Sequence, residues 1–157
     1  LLPMVKIASA LAVHAFLVLV TVAFFWLRGH PPHPAYLQIP YYTLAMIALL
    51  LGLSWLTSSL TVFIRDLGQA LSLVLQLLFW LTPILWSPEM LPERFRGFIR
   101  LNPVCYIVEG YRDSFISHGW FWDDPAMMAY YWSVTGCVLL LGAYTFMRLR
   151  PHFADVI

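Results

Sequence analysis

Glu109 and Arg112 are the charged residues whose spacing has the clearest chemical meaning in this sequence. They stand three residues apart in an otherwise apolar and aromatic stretch, so a helix would place them within reach of each other. At membrane depth an unpaired carboxylate costs at least a few kcal/mol, and a neighbouring guanidinium would offset that charge. The spacing therefore predicts an ion pair that holds a short helix in place. The alternative is that Arg112 extends to water and the pair contributes little.

Arg65 and Asp66 form a second charged pair, in the very short connection between two apolar runs. An isolated ion pair at a membrane surface contributes little to stability. The functional alternative is a contact point for a partner protein, because this connection joins two long helices directly.

Other polar residues have spacings that do not support chemistry. His30 and His33 lack a third ligand, so we expect no metal site. Ser54 and His14 faintly resemble an intramembrane serine protease, but the glycine that follows the serine in such sites is missing and His14 has no evident partner. Asp124 precedes a proline, which is typical of a helix cap. No phosphate-binding GxxxxGK[ST] loop is present, and we expect no catalytic residue.

Composition defines the class of protein in which these residues must act. Apolar residues make up 61% of the 157 residues and charged residues only 11%, against about 25% charged in a soluble domain. Such an excess of apolar surface cannot be hidden in a soluble fold of this size. The net charge of +1 gives no basic field for nucleic acid. We therefore expect an all-α integral membrane protein in contact with lipid.

Four apolar runs are each long enough to span a bilayer as a helix, and helices satisfy their own backbone in lipid. They cover about 7–27, 41–64, 67–86 and 126–147. The run interiors carry no Asp, Glu, Lys or Arg, which makes an ion relay an unlikely function. The sequence thus predicts one transmembrane domain over residues 1–157 with four spanning helices.

The segment 88–116 differs from an ordinary loop, because short apolar stretches alternate with charge and proline. It divides at Asn102-Pro103 into two predicted helices, 92–101 and 103–115. These helices are too short to span a membrane, and they follow a kink expected at Pro83. One interpretation is a pair of amphipathic helices lying flat on the surface. The other, which we favour, is a re-entrant hairpin that acts as a gate.

Orientation follows from the charges beside the apolar runs. In a four-span chain Lys6, Arg65, Arg148 and Arg150 lie on one side, close to helix ends. The positive-inside rule applies to such short flanking segments, so we predict that both termini are cytoplasmic.

Several short motifs, in order, resemble the permease subunit of polysaccharide-exporting ABC transporters, the type-2 exporter class. These motifs are Arg65-Asp66-Leu67, Leu81-Thr82-Pro83-Ile84, Leu91-Pro92, Leu101-Asn102-Pro103 and Val108-Glu109-Gly110-Tyr111-Arg112. The ending 149–157 is similar to the C-terminus of wall teichoic acid export permeases. The O-antigen and capsule export permeases are near relatives.

The resemblance implies a six-helix permease of which this chain is the C-terminal part, matching the last four spans. It implies a homodimer of two permease copies, with partner ATPase subunits that bind ATP and Mg, and no cofactor in this chain. The cargo would be a lipid-linked polysaccharide or teichoic acid crossing a bacterial cytoplasmic membrane. The two short helices would correspond to a gate on the outer side. Arg65 and Asp66 would correspond to the loop that faces the ATPase.

The residues expected in the gate or the substrate path are of two kinds. Some are aromatic residues, on which sugars stack, and the others are the proline, asparagine and charged residues of the hairpin and its start. They are Phe79, Trp80, Pro83, Asn102, Pro103, Tyr106, Glu109, Tyr111 and Arg112. For the aromatic residues, helix packing is an equally good interpretation. Two other functional classes stay open, a membrane-embedded enzyme acting on a lipid carrier and a structural membrane protein.

Overall fold

The computed structural model describes residues 2–62, 64, 66–90 and 92–149, and the regular structure within these residues is helical. The helices are α1 (Leu2–Leu27), α2 (Ile39–Thr61), α3 (Leu67–Leu81), α4 (Glu93–Arg100), α5 (Pro103–Arg112) and α6 (Pro125–Leu149). Short 3-10 segments cover Pro34–Gln38 and Pro88–Met90, and a π-helical turn, Asp113–Ser117, extends α5. The assignment of all of 1–157 to one domain stays a prediction.

Three helical segments are long and apolar enough to cross a bilayer. They are Met4–Leu27, Pro34–Thr61 and Pro125–Leu149. They overlap the predicted spans 7–27, 41–64 and 126–147, although α2 ends at Thr61, and they are what a multi-pass membrane protein requires.

The third predicted span, 67–86, is wrong in its length. α3 ends at Leu81 after 15 residues, a length of about 22 Å against the roughly 30 Å of a bilayer core. Pro83 disfavours helical geometry at the residue before it, and Thr82 is accordingly extended with ψ 131°. The apolar residues 84–86 continue as irregular chain, which hydropathy alone does not distinguish from helix.

The hairpin contains two short helices, α4 and α5, which are divided at Asn102. Asn102 is the N-cap of α5, and its side-chain oxygen accepts a hydrogen bond from the Val104 amide at 3.0 Å. Pro103 occupies the first helical position, where its missing N–H costs nothing. Whether this hairpin enters a membrane from one side is a prediction that the fold itself does not test.

The long helices place the hairpin at one end of the bundle. α2 and α6 run parallel, since Gln38 bonds Phe121 near their beginnings and Tyr131 bonds Ala45 further along. α1 runs antiparallel to α2, and its Phe25 stacks on Phe115 beyond α5. We call this the hairpin end: the end of α1 and α3, the beginning of α2 and α6, and the segment 82–124.

The core forms where α2 meets α5 and α6. Its buried members are Tyr42, Ala45, Leu49, Tyr106, Ile107 and Tyr131. Side by side, α2 and α6 approach closely at Gly52 and Gly142, where a Cβ on Gly52 would lie 2.9 Å from the Leu139 nitrogen. Small residues that let backbones approach are typical of helix packing in membranes.

α1 and α3 lie at the periphery and present apolar side chains outward. α3 buries none of its residues, and Leu19 and Leu77 are more than 60% exposed. Apolar surface on this scale belongs against lipid or other protein.

Candidate functional site

The junction between α3 and the hairpin is held by two predicted site residues, Asn102 and Arg112, which bond to the chain at the end of α3. The Asn102 amide donates to the Thr82 hydroxyl at 2.8 Å, and that hydroxyl donates to the Leu78 carbonyl at 2.6 Å. Thr82 and Pro83 are both buried. One asparagine therefore caps α5 and also binds the end of α3.

Arg112 completes the same junction. Its Nη2 donates to the Pro83 carbonyl at 2.6 Å and to the Trp86 carbonyl at 3.2 Å. The helix stops at this proline, so the carbonyls that follow have no helical N–H partner and attract the guanidinium. Arg112 thus holds the irregular chain after α3 against α5.

The predicted Glu109–Arg112 ion pair is wrong. A salt bridge within 4 Å instead joins Arg100 to Asp124 at 3.8 Å, and both of those side chains are at least half exposed. The three-residue spacing permits the contact between Glu109 and Arg112, but the carbonyls at the end of α3 compete successfully for the guanidinium.

Glu109 is half-buried beside these arginines. Burial raises the pKa of its carboxyl above the usual 4.5, and Arg100 opposes that rise while Asp113 adds to it. The pKa of the neighbouring Cys105 thiol is raised to about 12, again chiefly by burial. The inner face of α5 is therefore shielded from water, and a charge there is costly.

A cavity of about 710 Å³ lies between α4, α5 and the chain after α3. The charged residues in its lining are Arg96, Arg100, Arg112, Glu93, Glu109 and Asp113. Arginines suit phosphate or carboxylate groups, and carboxylates accept hydrogen bonds from hydroxyls. In chemical terms this cavity can hold a polar ligand that carries both kinds of group.

A smaller cavity of about 190 Å³ adjoins it through Glu109 and Asp113. Its walls include Tyr42, Tyr106, Trp120 and Phe121, and also Asp123 and Asp124. Aromatic faces beside carboxylates form surroundings that fit a sugar ring, with its apolar faces and hydroxyl edges.

Sequence reasoning missed the lining residues Arg96, Arg100, Asp113, Trp120 and Phe121. The alternation of charge in 93–100 was visible, but it was interpreted as the polar face of a helix. The aromatic residues 120–122 have the composition of a membrane-interface belt. Neither pattern shows that α4 and the 118–124 segment close around α5.

Tyr106 and Tyr111 lie in the core and hold it together through their hydroxyls. Tyr106 stacks on Tyr131 with ring centres 4.8 Å apart, and its hydroxyl lies 3.0 Å from that of Tyr41. The Tyr111 hydroxyl lies 2.7 Å from both His14 Nε2 and Thr43 Oγ1. His14 therefore has a partner, contrary to expectation, and that partner is Tyr111 rather than Ser54.

Phe79 and Trp80 are not brought into either cavity. They lie on α3, 47% and 67% exposed, with their rings in an edge contact 5.9 Å apart. The other seven predicted residues lie in the segment 82–112, and they are Pro83, Asn102, Pro103, Tyr106, Glu109, Tyr111 and Arg112.

The turn before α3 is described only in part, since Arg65 lies outside the described residues. Asp66 occupies the N-cap of α3 and is exposed, but its side chain makes no capping hydrogen bond. A carboxylate at this position normally caps.

Within the ranges that the structure describes, no three His, Cys, Asp or Glu side chains lie close enough together to hold a metal ion. His33 stacks on His118 with ring centres 4.0 Å apart, and its Nδ1 accepts a hydrogen bond from the Ala35 amide. This histidine has a structural role at the start of the 3-10 segment Pro34–Gln38.

Comparison with known proteins gives a consistent set of relatives. The model of the family described as ABC-2 type transporter matches residues 2–116. Two proteins of Klebsiella pneumoniae, each named O-antigen export system permease protein RfbA, are 29% identical over 140 residues, covering 88% of this chain and 52% of each relative. The chain spans about half the length of these relatives.

Proposed function

Because this chain belongs to the ABC-2 type transporter family, we propose that it is part of the membrane-spanning permease of a polysaccharide exporter. The resemblance seen in the motifs is confirmed at the level of the family. The cargo we propose is a lipid-linked polysaccharide of the O-antigen kind. The name of the two relatives supports that cargo. Teichoic acid is the competing cargo, and the ending that suggested it, 150–157, lies outside the described residues.

One observation carries the proposal: a large charged cavity at the hairpin end of an otherwise apolar bundle. A polymer with phosphate and hydroxyl groups needs polar partners where it leaves a membrane, because unsatisfied polar groups there are costly. Arg100 and Glu109 offer both kinds of partner within one cavity. The adjoining cavity adds aromatic faces for sugar rings.

The hairpin is well placed to act as a gate. Tyr111 reaches His14, which lies about 20 Å along α1 from the end of that helix at Leu27. This depth supports the re-entrant interpretation over helices lying flat on the surface. The fixed junction at Asn102 and Arg112 means that the hairpin and α3 would move together.

α3 is then the connection between an energy source and the gate. It begins after Asp66 and ends at Leu81, and Asn102 bonds the next residue, Thr82. We propose that a separate ATPase subunit, with its own ATP and Mg, contacts the turn at Arg65 and Asp66 on the cytoplasmic side. The Asp66 carboxylate makes no capping hydrogen bond to α3, which supports a role for it in binding a partner protein.

A second permease copy is part of the same proposal. α1 and α3 expose apolar faces, which in a homodimer would bury against each other or border the path of the polymer. The competing function, an enzyme acting on a lipid carrier, needs a nucleophile with a base. Ser54, the candidate nucleophile, is not the partner of His14, which bonds the Tyr111 hydroxyl instead.

The decisive experiment is complementation of cells in which the full gene is silenced. We expect a lipid-linked polymer to accumulate inside these cells, and its chemical analysis distinguishes O-antigen-like polysaccharide from teichoic acid. Arg100→Gln in the full-length protein should restore export only in part. Arg94→Gln, on the same helix but outside the cavity lining, should restore it fully. Normal export with Arg100→Gln would contradict a role of the charged cavity in export.

A further inference from the structure

His14 is the polar side chain through which α1 bonds to the rest of the described structure. Ser9 and Thr21, on the same helix, donate to carbonyls of α1 itself. His14 instead lies 2.7 Å from the hydroxyl of Tyr111 in α5, and the two rings meet edge-on with centres 5.4 Å apart. A spanning helix is thus tied to the hairpin near its own middle.

The direction of this hydrogen bond follows from counting protons. Thr43 Oγ1 lies 2.9 Å from the Ile39 carbonyl, which can only accept, and 2.7 Å from the Tyr111 hydroxyl. If Thr43 donates to that carbonyl, Tyr111 must donate to Thr43, because each hydroxyl has a single proton. The Tyr111 oxygen is then free to accept, so His14 Nε2 carries the proton and donates it. Only this assignment makes all three hydrogen bonds.

From this geometry we infer that His14 is a positioning residue that latches α5 to α1 by donating Nε2–H to Tyr111, and so holds the hairpin closed. The latch consists of His14, Tyr111 and Thr43. The inference rests on the proposed function in one respect: a closed hairpin presupposes that the hairpin acts as a gate. It adds the residue that sets how readily the hairpin separates from the bundle.

The surroundings explain why one hydrogen bond can have this effect. All three side chains are half-buried, and His14 and Thr43 belong to helices long and apolar enough to cross a membrane, against which α5 places Tyr111. When α5 moves away, the Nε2–H and the Tyr111 hydroxyl lose their partners where little water replaces them. Imidazole also donates from Nε2 in both the neutral Nε2–H form and the charged form. The latch therefore does not depend on the charge of His14.

The chain contains a reporter for this latch. Cys105 is fully buried on α5, and burial raises the pKa of its thiol to about 12, so it should react slowly while α5 is held in place. Cys137, the other cysteine, is exposed on α6 and would be replaced by alanine, with any cysteines elsewhere in the full-length protein. The rate of Cys105 alkylation by N-ethylmaleimide in native membranes then measures how often α5 separates.

The test compares variants that remove or retain the donor. His14→Leu should raise the Cys105 labelling rate by roughly three- to tenfold, the effect of losing one net hydrogen bond. His14→Gln places an amide N–H where Nε2–H lies and should stay within about twofold of the unsubstituted protein. Ser9→Ala, on the same helix, is the control and should not change the rate.

Tyr111→Phe provides a second route if His14→Leu does not assemble. It removes the hydroxyl but keeps the ring, and it should raise the labelling rate as His14→Leu does. The double variant should add little to either single variant, because both remove the same bond. Unchanged labelling in both single variants would overturn the latch. Equal labelling in His14→Gln and His14→Leu would overturn the assignment of His14 as the donor.

Polysaccharide export measured on the same variants separates this inference from the proposed function. Faster labelling together with altered export supports the latch and the gate. Faster labelling with unchanged export supports the latch and contradicts the gating role of the hairpin.

Discussion

At the scale of single residues, Gly110 decides how closely α5 approaches α2. A Cβ built on Gly110 would overlap the Tyr42 ring, which lies directly against the glycine. Tyr42 is 3% exposed in the core, so a displacement of its ring would disturb the packing around it. The glycine of the Val108–Arg112 motif is therefore the point at which α5 contacts α2.

We predict that Gly110→Ala lowers the free energy of unfolding by about 1–3 kcal/mol, the usual cost of overpacking a core. Gly97→Ala is the matched control, because a Cβ on Gly97 in α4 meets nothing within 4 Å. In a helix that substitution should be neutral or stabilising by up to about 1 kcal/mol. Unfolding of the purified full-length protein in mixed detergent micelles measures both, and equal stability of the two variants would contradict the packing argument.

Glu109 gives a prediction in pH. Because burial raises the pKa of its carboxyl above 4.5 in the folded protein, folding favours the neutral form. The stability this provides is fully present below the unfolded pKa and is lost as pH rises through the folded pKa. Glu109→Gln should therefore match the unsubstituted protein near pH 4 and melt at a higher temperature above pH 7. A lower melting temperature of the variant at pH 7 would show that the carboxylate has a partner that stabilises its charge.

The sequence could not have given the partners of these residues. Three-residue spacing places Glu109 and Arg112 on one helix face, but the choice Arg112 makes depends on carbonyls 26 and 29 residues earlier in the chain. His14 bonds Tyr111 across 97 residues. Local spacing contains no information about contacts at such separations.

At the scale of helices, the contact between α2 and α6 depends on two glycines. Gly142 lies so close to α2 that a Cβ on it would overlap the Gly52 carbonyl oxygen. A backbone atom cannot move aside as a flexible side chain can.

Gly142→Ala should force α6 away from α2 and destabilise the protein by at least about 1–3 kcal/mol. Gly136→Ala, on the same helix with nothing within 4 Å of the added carbon, should leave stability within about 0.5 kcal/mol or raise it slightly. Melting temperatures in detergent provide the comparison. Should both variants melt together, the close crossing of α2 and α6 would be excluded.

Asn102 offers a test of the connection between helices. Asn102→Ala removes both the cap of α5 and the bond to Thr82, whereas Asn102→Ser keeps a capping oxygen and loses only the bond. We expect a loss of about 1–2 kcal/mol for alanine and a smaller one for serine. If α3 transmits movement to the hairpin, both variants should also weaken the coupling of ATP hydrolysis to export. Normal coupling of ATP hydrolysis to export in both variants would show that α3 does not transmit movement to the hairpin.

Helix identity was predictable and helix length was not. Apolar runs of about twenty residues gave the three long spans, and proline with asparagine gave the division of the hairpin. The third span was overestimated because residues 84–86 are as apolar as the helix before them, and hydropathy outweighed Pro83. Burial was also unpredictable, since Tyr106 in the core and Trp80 on the surface belong to equally aromatic stretches.

At the scale of the whole molecule, the fold fixes which segments share an end. The end of α1, the beginning of α2 and the hairpin lie together, as the contacts of Phe115 with Phe25 and Tyr36 establish. The beginning of α3 lies at the opposite end, where Leu71 borders the same cavity as Lys6 and Thr61. Once one of these ends is assigned to a side of the membrane, the side of the other described segments follows.

That orientation is predicted from charge, with the hairpin end outside the cell. A cysteine at His30, which is exposed beyond α1, should react with an impermeant thiol reagent applied to intact cells. A cysteine at Gly68, where the added side chain meets nothing within 4 Å, should react only after the membrane is opened. His30 is a better site than its neighbour Gly29, whose φ of +86° would strain a cysteine. Both substitutions would be made with Cys105 and Cys137 replaced. The reverse pattern would place the hairpin in the cytoplasm, and the charged cavity would then receive the polymer at entry and not release it at exit.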